Sequence, residues 1–188
     1  MLSKLKSKIV VAAILIMMVA LMAQSTLAYY STVGKATNVV TTGNIQFIIH
    51  ETTDSGAEFP KEGVYVLPGD TVSKQVSIEN DCEHPFYLRV KIVYGKDSQG
   101  VSVEDCFKPE INEEHWELHD GWYYYKGIVE PGKTTPDVFS RVEIVGSKVD
   151  NSYLAENLQL TVLAQAVQSE NNPISDGNTY TASGWPKE

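Results

Sequence analysis

The chain of 188 residues lacks the short motifs that mark the common classes of enzyme. It contains no Gly-x-Ser-x-Gly elbow, no Walker loop, no Rossmann fingerprint and no His-Glu-x-x-His zinc motif. A Ser-His-Asp arrangement would have to be assembled in space, and no part of the sequence points to one. We therefore expect no enzymatic activity and no cofactor.

Metal-binding residues are also sparse, and the best pair is weak. His115 and His119 are four residues apart, which on a helix would let both imidazoles bind one zinc ion. Position 116 is tryptophan, however, where the zinc-peptidase motif requires glutamate. The segment runs directly into Asp120-Gly121, a hairpin signal that favours strand or loop over helix. We therefore predict no metal site and keep His115 and His119 only as weak candidates.

Long hydrophobic runs are absent apart from Ile9–Ala23, which is fifteen residues long. A membrane-spanning helix needs about 20 apolar residues, whereas a shorter run after a few lysines and before small residues is typical of a secretory signal peptide. We predict a signal peptide over residues 1–28, cut between Ala28 and Tyr29 by a signal peptidase during export. A cut after Ser25 and an uncleaved anchor are the alternatives.

Basic residues are scarce once this segment is removed. Residues 1–28 carry three lysines and no acid, so the remaining chain has 12 basic and 24 acidic residues and a net charge of −12. Nucleic acids and anionic lipids both require a basic patch. We therefore expect no nucleic-acid partner, no membrane association after cleavage, and a soluble protein outside the cell.

Helical periodicity is missing from the exported part, and alternation of apolar and polar residues replaces it. Such alternation is typical of strands with one face on a core and the other in water. It recurs over residues 45–49, 72–79, 86–92, 138–144 and 158–166. Turn signals lie between these runs, namely Pro68-Gly69, Asp120-Gly121 and Pro131-Gly132.

Short strands without intervening helices predict an all-β fold, an antiparallel sandwich or barrel. We place this domain over residues 29–168 and a polar tail over residues 169–188. The tail is rich in Asn, Ser, Thr and Gly, so we expect little regular structure in it, although Trp185 could pack back on the domain.

The two cysteines, Cys82 and Cys106, are expected to form a disulfide because export makes one chemically permissible. Two reduced, unrelated thiols are the alternative. Neither cysteine has a Cys-x-x-Cys partner, so the sequence supports no redox motif and no zinc knuckle.

The aromatic run Trp122–Tyr125 alternates in the same way. On a strand, Trp122 and Tyr124 face one side and Tyr123 and Tyr125 the other. We expect one pair to pack in the core and the other to cap an edge or an interface. Stacking on a sugar ring is the alternative use of exposed aromatic side chains.

Several short motifs together resemble the TasA/camelysin family of exported proteins, whose signal peptides are processed by a dedicated SipW-type signal peptidase. The resemblance rests on Ala28-Tyr29-Tyr30-Ser31 with Thr42-Gly43-Asn44-Ile45, on Leu67-Pro68-Gly69-Asp70 leading to Ile78-Glu79-Asn80, on Asp120-Gly121-Trp122 with Pro131-Gly132, and on Ala164-Gln165-Ala166 with Trp185 beyond. It covers most of the chain.

The resemblance implies a jelly-roll or Ig-like β-sandwich and a structural role in the biofilm matrix or at the cell surface. Subunits of that family form fibres by donating an N-terminal strand to the sheet of the next subunit, which is β-augmentation. The segment from Tyr29 to about Thr42 is the corresponding donor here, and its β-branched character suits an extended strand. The candidate donor residues are Thr32, Val33, Thr37, Val39, Val40 and Thr41. The implied partners are further copies of the chain or related matrix subunits.

Two other functions stay open at the level of sequence. An extracellular binding or adhesion module would use exposed aromatics such as Tyr123 and Tyr125. Camelysin itself is classed as a metallopeptidase, but without His-Glu-x-x-His that activity transfers to no residue of this chain.

Overall fold

The computed structural model describes residues 37–38, 45–97, 99–149, 158–170 and 172–186. The predicted signal peptide, its cut between Ala28 and Tyr29, and most of the predicted donor segment lie outside these residues. The described residues form ten strands, namely β1 Thr37–Asn38, β2 Phe47–Thr52, β3 Thr71–Ser73, β4 Gln75–Asn80, β5 Phe86–Tyr94, β6 Phe107–Ile111, β7 Trp116–His119, β8 Trp122–Tyr125, β9 Phe139–Ile144 and β10 Leu160–Gln168.

Five strands form one sheet in the order β1-β10-β5-β8-β7. The longest pairing joins all nine residues of β10 to β5 in antiparallel register, from Leu160 opposite Tyr94 to Gln168 opposite Phe86. The pairs β5–β8 and β7–β8 are also antiparallel. The pairing of β1 with β10 is parallel, which sets it apart from the rest of the sheet.

The second layer is built from the pair β2–β4 and the triplet β3-β9-β6. The backbone N–H of Val138 donates to the carbonyl of Val76 at 2.7 Å, and that of Lys74 donates to Ser140 at 3.2 Å. These bonds continue the hydrogen-bond ladder across Lys74, the residue that separates β3 from β4. Both strands therefore run alongside the same segment, residues 134–143. The result is a second antiparallel layer with β2 and β6 at its margins.

The core lies between the two layers and consists of the alternating residues that the sequence predicts. On β5 and β10 the even-numbered residues from Phe86 to Ile92 and from Leu160 to Ala166 are buried in it. The second layer contributes Val76, Ile78, Val142 and Ile144. The predicted all-β sandwich is therefore confirmed.

The predicted turns form with the expected chemistry. Asp120 and Gly121 have φ angles of 48° and 78°, the two left-handed residues of a type I′ hairpin between β7 and β8. After Pro68, Gly69 has a φ of 92°, and the N–H of Asp70 donates to the carbonyl of Leu67 at 3.0 Å. That combination is the type II turn expected from Pro-Gly.

The predicted disulfide between Cys82 and Cys106 is not formed. Cys82 follows β4 beside the start of β5, where its Sγ lies 3.0 Å from Asn80 Oδ1. Cys106 lies beside the opposite end of β5, in a 3-10 turn whose Val103 donates to Gly95. The two ends of the nine-residue strand β5 are eight steps apart, which is about 26 Å at 3.3 Å per step, whereas a disulfide needs Cα atoms within about 7 Å.

Helix is minimal in the described part of the chain, where short 3-10 turns occur at Glu104–Cys106 and Thr179–Thr181. Within those same residues, no helix has the length and apolar character needed to cross a membrane.

Candidate assembly interface

The edge of β10 that faces away from β5 carries the short strand β1. Thr37 pairs with Leu163 and Asn38 with Ala164 in parallel register. Both pairs lie near the middle of the nine-residue strand β10. The edge of a sheet can receive another extended chain through main-chain hydrogen bonds.

The position of β1 also brings it next to the second layer, because β1 contacts β2 as well as β10. Within the described residues, β2 pairs with β4 on one side and is the outermost strand of its sheet on the other. β1 therefore lies beside both layers of the sandwich, next to β10 in one and β2 in the other.

The sequence-predicted donor residues fall only partly within the described chain. Thr37 lies in β1, on the edge of β10 where a donor strand is expected. Thr32, Val33, Val39, Val40 and Thr41 lie outside the described residues, as does the predicted cut at Ala28 and Tyr29. Of the six predicted donor residues, the described part of the chain therefore contains Thr37 alone, and Thr37 pairs with the edge of β10.

The outer face of the same sheet carries a buried arginine, Arg89 of β5, which is 6% exposed. Its Nε and Nη2 donate to Gln165 Oε1 at 3.0 and 2.6 Å, and its Nη1 donates to Tyr124 Oη at 2.9 Å. The guanidinium also lies over the ring of Trp122, with Cζ 4.2 Å from the ring centroid. We name Arg89, Trp122, Tyr124 and Gln165 the platform.

The platform is covered by residues 172–186, which we name the strap. Trp185 lies over the guanidinium of Arg89, 4.8 Å from Cζ to the ring centroid, and the carbonyl of Pro186 accepts a hydrogen bond from Nη2 at 3.0 Å. Tyr180 stacks on His119 at 4.2 Å between ring centroids. The expectation that Trp185 packs back on the domain is therefore confirmed.

The predicted alternation of the aromatic residues on β8 is confirmed, and the strap explains why both faces of the strand are aromatic. Tyr123 and Tyr125 are partly buried against the main core, on the same face as Val90. Trp122 and Tyr124 are buried on the outer face because the strap covers them. Sequence reasoning missed Arg89, since alternation alone assigns it to water. The available signal was Trp185, a large aromatic residue in a polar tail.

The weak metal candidates lie on a strand and the loop before it. His119 is in β7, with Nε2 3.2 Å from Asp120 Oδ2 and its ring stacked on Tyr180, while His115 precedes β7. Residues four apart on an extended strand are separated by about 13 Å, too far to share one ion. In the parts of the chain that the structure describes, no group of three His, Cys, Asp or Glu residues could hold a metal.

A buried ion pair ties β2 to the break between β3 and β4. Lys74 is 4% exposed, and its Nζ lies 2.8 Å from Glu51 Oε2 and 4.2 Å from the ring centroid of Phe59. Burial lowers the pKa of Lys74, and the Glu51 carboxylate opposes that change. The pair therefore anchors β2, the margin next to β1.

Comparison with known proteins gives no relative: no family model, no curated protein and no solved structure matches the chain.

Proposed function

We propose that the mature protein is a secreted structural subunit of the cell surface or biofilm matrix that assembles by donor-strand β-augmentation. In the assembly, the N-terminal segment of one copy lies along β10 of the next. The observation that supports this proposal is the parallel pairing of Thr37 with Leu163 on the edge of β10 that faces away from β5. The resemblance to the TasA/camelysin family supports the same function.

The register of β1 fits the length of the edge. Continued in both directions, it would set residues 34–42 opposite residues 160–168, so nine donor residues match the nine residues of β10. This interval lies inside the predicted donor segment of residues 29–42. A full-length donor strand thus needs no change of register from the short pairing that is present.

The same register assigns donor side chains to faces. Ala164 and Ala166 of β10 are fully buried in the main core. Residues directly opposite on paired strands share a face, so a donor with Val40 opposite Ala166 would direct Val40 inward and the adjacent Val39 outward. Small side chains on the receiving strand leave room for an inserted apolar donor residue.

Electron microscopy of the mature protein, starting at Tyr29 at neutral pH, tests the proposal. We expect filaments both with and without a chelator, because main-chain hydrogen bonds and apolar contacts need no metal. A protein that lacks residues 29–42 should stay monomeric. Filaments formed by that shortened protein would overturn the donor-strand mechanism.

A groove on the β7–β8 hairpin supports a second candidate function, an extracellular binding or adhesion module. Leu118, which is 59% exposed, pairs across the strands with the partly buried Tyr123. Trp116, Glu117 and Lys126 line the same groove. A monomer that binds a glycan would favour this function if Tyr123→Ala weakens the binding and Tyr65→Ala, at an exposed tyrosine that does not line the groove, leaves it unchanged.

A further inference from the structure

We propose that the strap is exchangeable between copies: residues 172–186 of one molecule dock on the platform of a second. This would give the protein a self-interaction surface on the outer face of the sheet. It is separate from the β10 edge and goes beyond donor-strand assembly.

The strap holds its own shape through internal hydrogen bonds. The N–H of Asn178 donates to the carbonyl of Ser175 at 2.9 Å, and the N–H of Ser175 donates to Thr181 Oγ1 at 2.7 Å. Trp185 Nε1 donates to the carbonyl of Thr179 at 3.0 Å. A segment that is organised in this way loses little conformational entropy when it docks.

The strap is attached to the sheet by discrete side-chain contacts. Besides the pins on Arg89 and His119, Thr179 Oγ1 donates to the carbonyl of Tyr125 at 2.8 Å. Its apolar residues Ile174, Ala182 and Trp185 pack with Tyr87 and Val167 in a cluster distinct from the main core. Detachment would therefore expose this cluster and the platform without opening the space between the two layers.

The occupant that best fits a vacated platform is the strap of another copy, because its complementarity to Arg89 and Trp122 is already present within one chain. Exchange requires opening at the turn after β10, where Asn172 Nδ2 donates to the carbonyl of Gln168 at 2.8 Å. Swapping an identical element between copies is a low-cost route to association.

The local protein concentration decides between docking within and between copies. Docking within one chain is favoured in dilute solution because the tether keeps the effective concentration of the strap high. Docking between chains becomes competitive where copies are crowded, as in an assembly. Exchange is therefore expected to rise with protein concentration.

Isotope mixing measures the exchange directly. His119→Cys and Tyr180→Cys are introduced together into mature protein that also carries Val40→Asp, which disables the proposed donor strand. Equal amounts of unlabelled and ¹⁵N-labelled protein are incubated together, oxidised and digested. Mass spectrometry then measures the masses of the peptides that are disulfide-linked through positions 119 and 180. We expect cross-linked peptides that join one unlabelled and one ¹⁵N-labelled half. Their fraction among all cross-linked peptides should rise with protein concentration towards one half. Their absence at every concentration would overturn the proposal.

A second test applies if the cysteine variant misfolds. It uses native mass spectrometry of the Val40→Asp protein without the two cysteine substitutions. Concentration-dependent dimers that disappear on Arg89→Ala support exchange. Monomers throughout, or dimers that persist with Arg89→Ala, contradict it. Because the donor segment is disabled in every sample, failure here is distinct from failure of donor-strand assembly.

Discussion

Arg89 stacks on Trp122, with its guanidinium carbon 4.2 Å from the ring centroid, on the face of the sheet opposite the main core. Within the described part of the chain, its hydrogen-bond acceptors are neutral oxygens on Gln165, Tyr124 and Pro186. One of these residues, Gln165, belongs to β10, and another, Pro186, belongs to the strap. The arginine thus connects the strap to the strand that we propose as the acceptor.

Replacing this arginine should destabilise the fold. Arg89→Met leaves Gln165 Oε1 and Tyr124 Oη buried without their donor, and hydrogen bonds to a charged group contribute about 1.5–3 kcal/mol each. We expect a loss of about 3 kcal/mol in urea unfolding and faster proteolysis of the strap. The matched control is Arg141→Met at an exposed position of β9. Equal stability of the two variants would contradict the role of Arg89.

Removing one partner of the buried ion pair between Lys74 and Glu51 should destabilise the protein more than removing both partners. Glu51→Leu leaves the Lys74 ammonium buried without its carboxylate, which typically costs about 3–5 kcal/mol. Adding Lys74→Met removes the uncompensated charge, so the double variant should be more stable than Glu51→Leu alone. Chemical unfolding of the wild type, both single variants and the double variant measures this coupling. A double variant less stable than Glu51→Leu would refute it.

Alkaline pH should weaken the protein through Tyr94. Burial raises the pKa of Tyr94 from 10.0 to about 12, with smaller contributions from Tyr123 and Glu104. The folded chain therefore retains a proton that the unfolded chain loses, so the stability from this group is full below pH 10 and is lost as the pH rises to about 12. Tyr94→Phe should flatten the pH dependence of stability over this interval. An unchanged profile would show that another group controls it.

Reduction should have no effect on the fold, because Cys82 and Cys106 lie beside opposite ends of β5. We expect the melting temperature of the purified protein to be the same with and without a reductant. Peptide mapping without reduction should find no peptide that joins positions 82 and 106. Detection of that cross-link in folded monomer would contradict the cysteine positions described above.

Much of the fold could be predicted from sequence because the longest strands alternate between apolar and polar residues. β5 and β10 direct every second residue into the main core, and Asp120-Gly121 favours a tight type I′ hairpin. β6 was missed because Pro109 interrupts a short mixed pattern. The structure places β6 at a margin of its sheet with a register shift after Pro109, a position that tolerates proline.

The candidate site was less predictable, since it depends on contacts between distant parts of the chain. The family resemblance implies a donor strand near Thr37, and the β-branched residues there suit an extended strand. The sequence specifies neither the edge nor the register of β1, which the structure shows to pair Thr37 with Leu163 of β10. Arg89 meets Pro186, 97 residues further along the chain. The alternation of residues within β5 therefore could not predict this contact.

The assigned faces of the donor strand lead to a matched pair of substitutions. Val40→Asp would place a carboxylate opposite Ala166 inside the sandwich, so we expect filament formation to be lost. Val39→Asp makes the same chemical change on the outward face and should preserve filaments, with somewhat slower growth at low salt from charge repulsion. Thioflavin fluorescence and electron microscopy report both. Equal behaviour of the two variants would mean that the register is different.

The most direct test of donor-strand assembly is solid-state NMR of filaments grown from an equal mixture of ¹³C-labelled and ¹⁵N-labelled mature protein. Only contacts between different molecules give ¹⁵N–¹³C cross-peaks in such a sample. The account predicts cross-peaks between the backbones of Thr37 and Leu163 and of Asn38 and Ala164. Well-ordered filaments whose spectra lack these cross-peaks would contradict it.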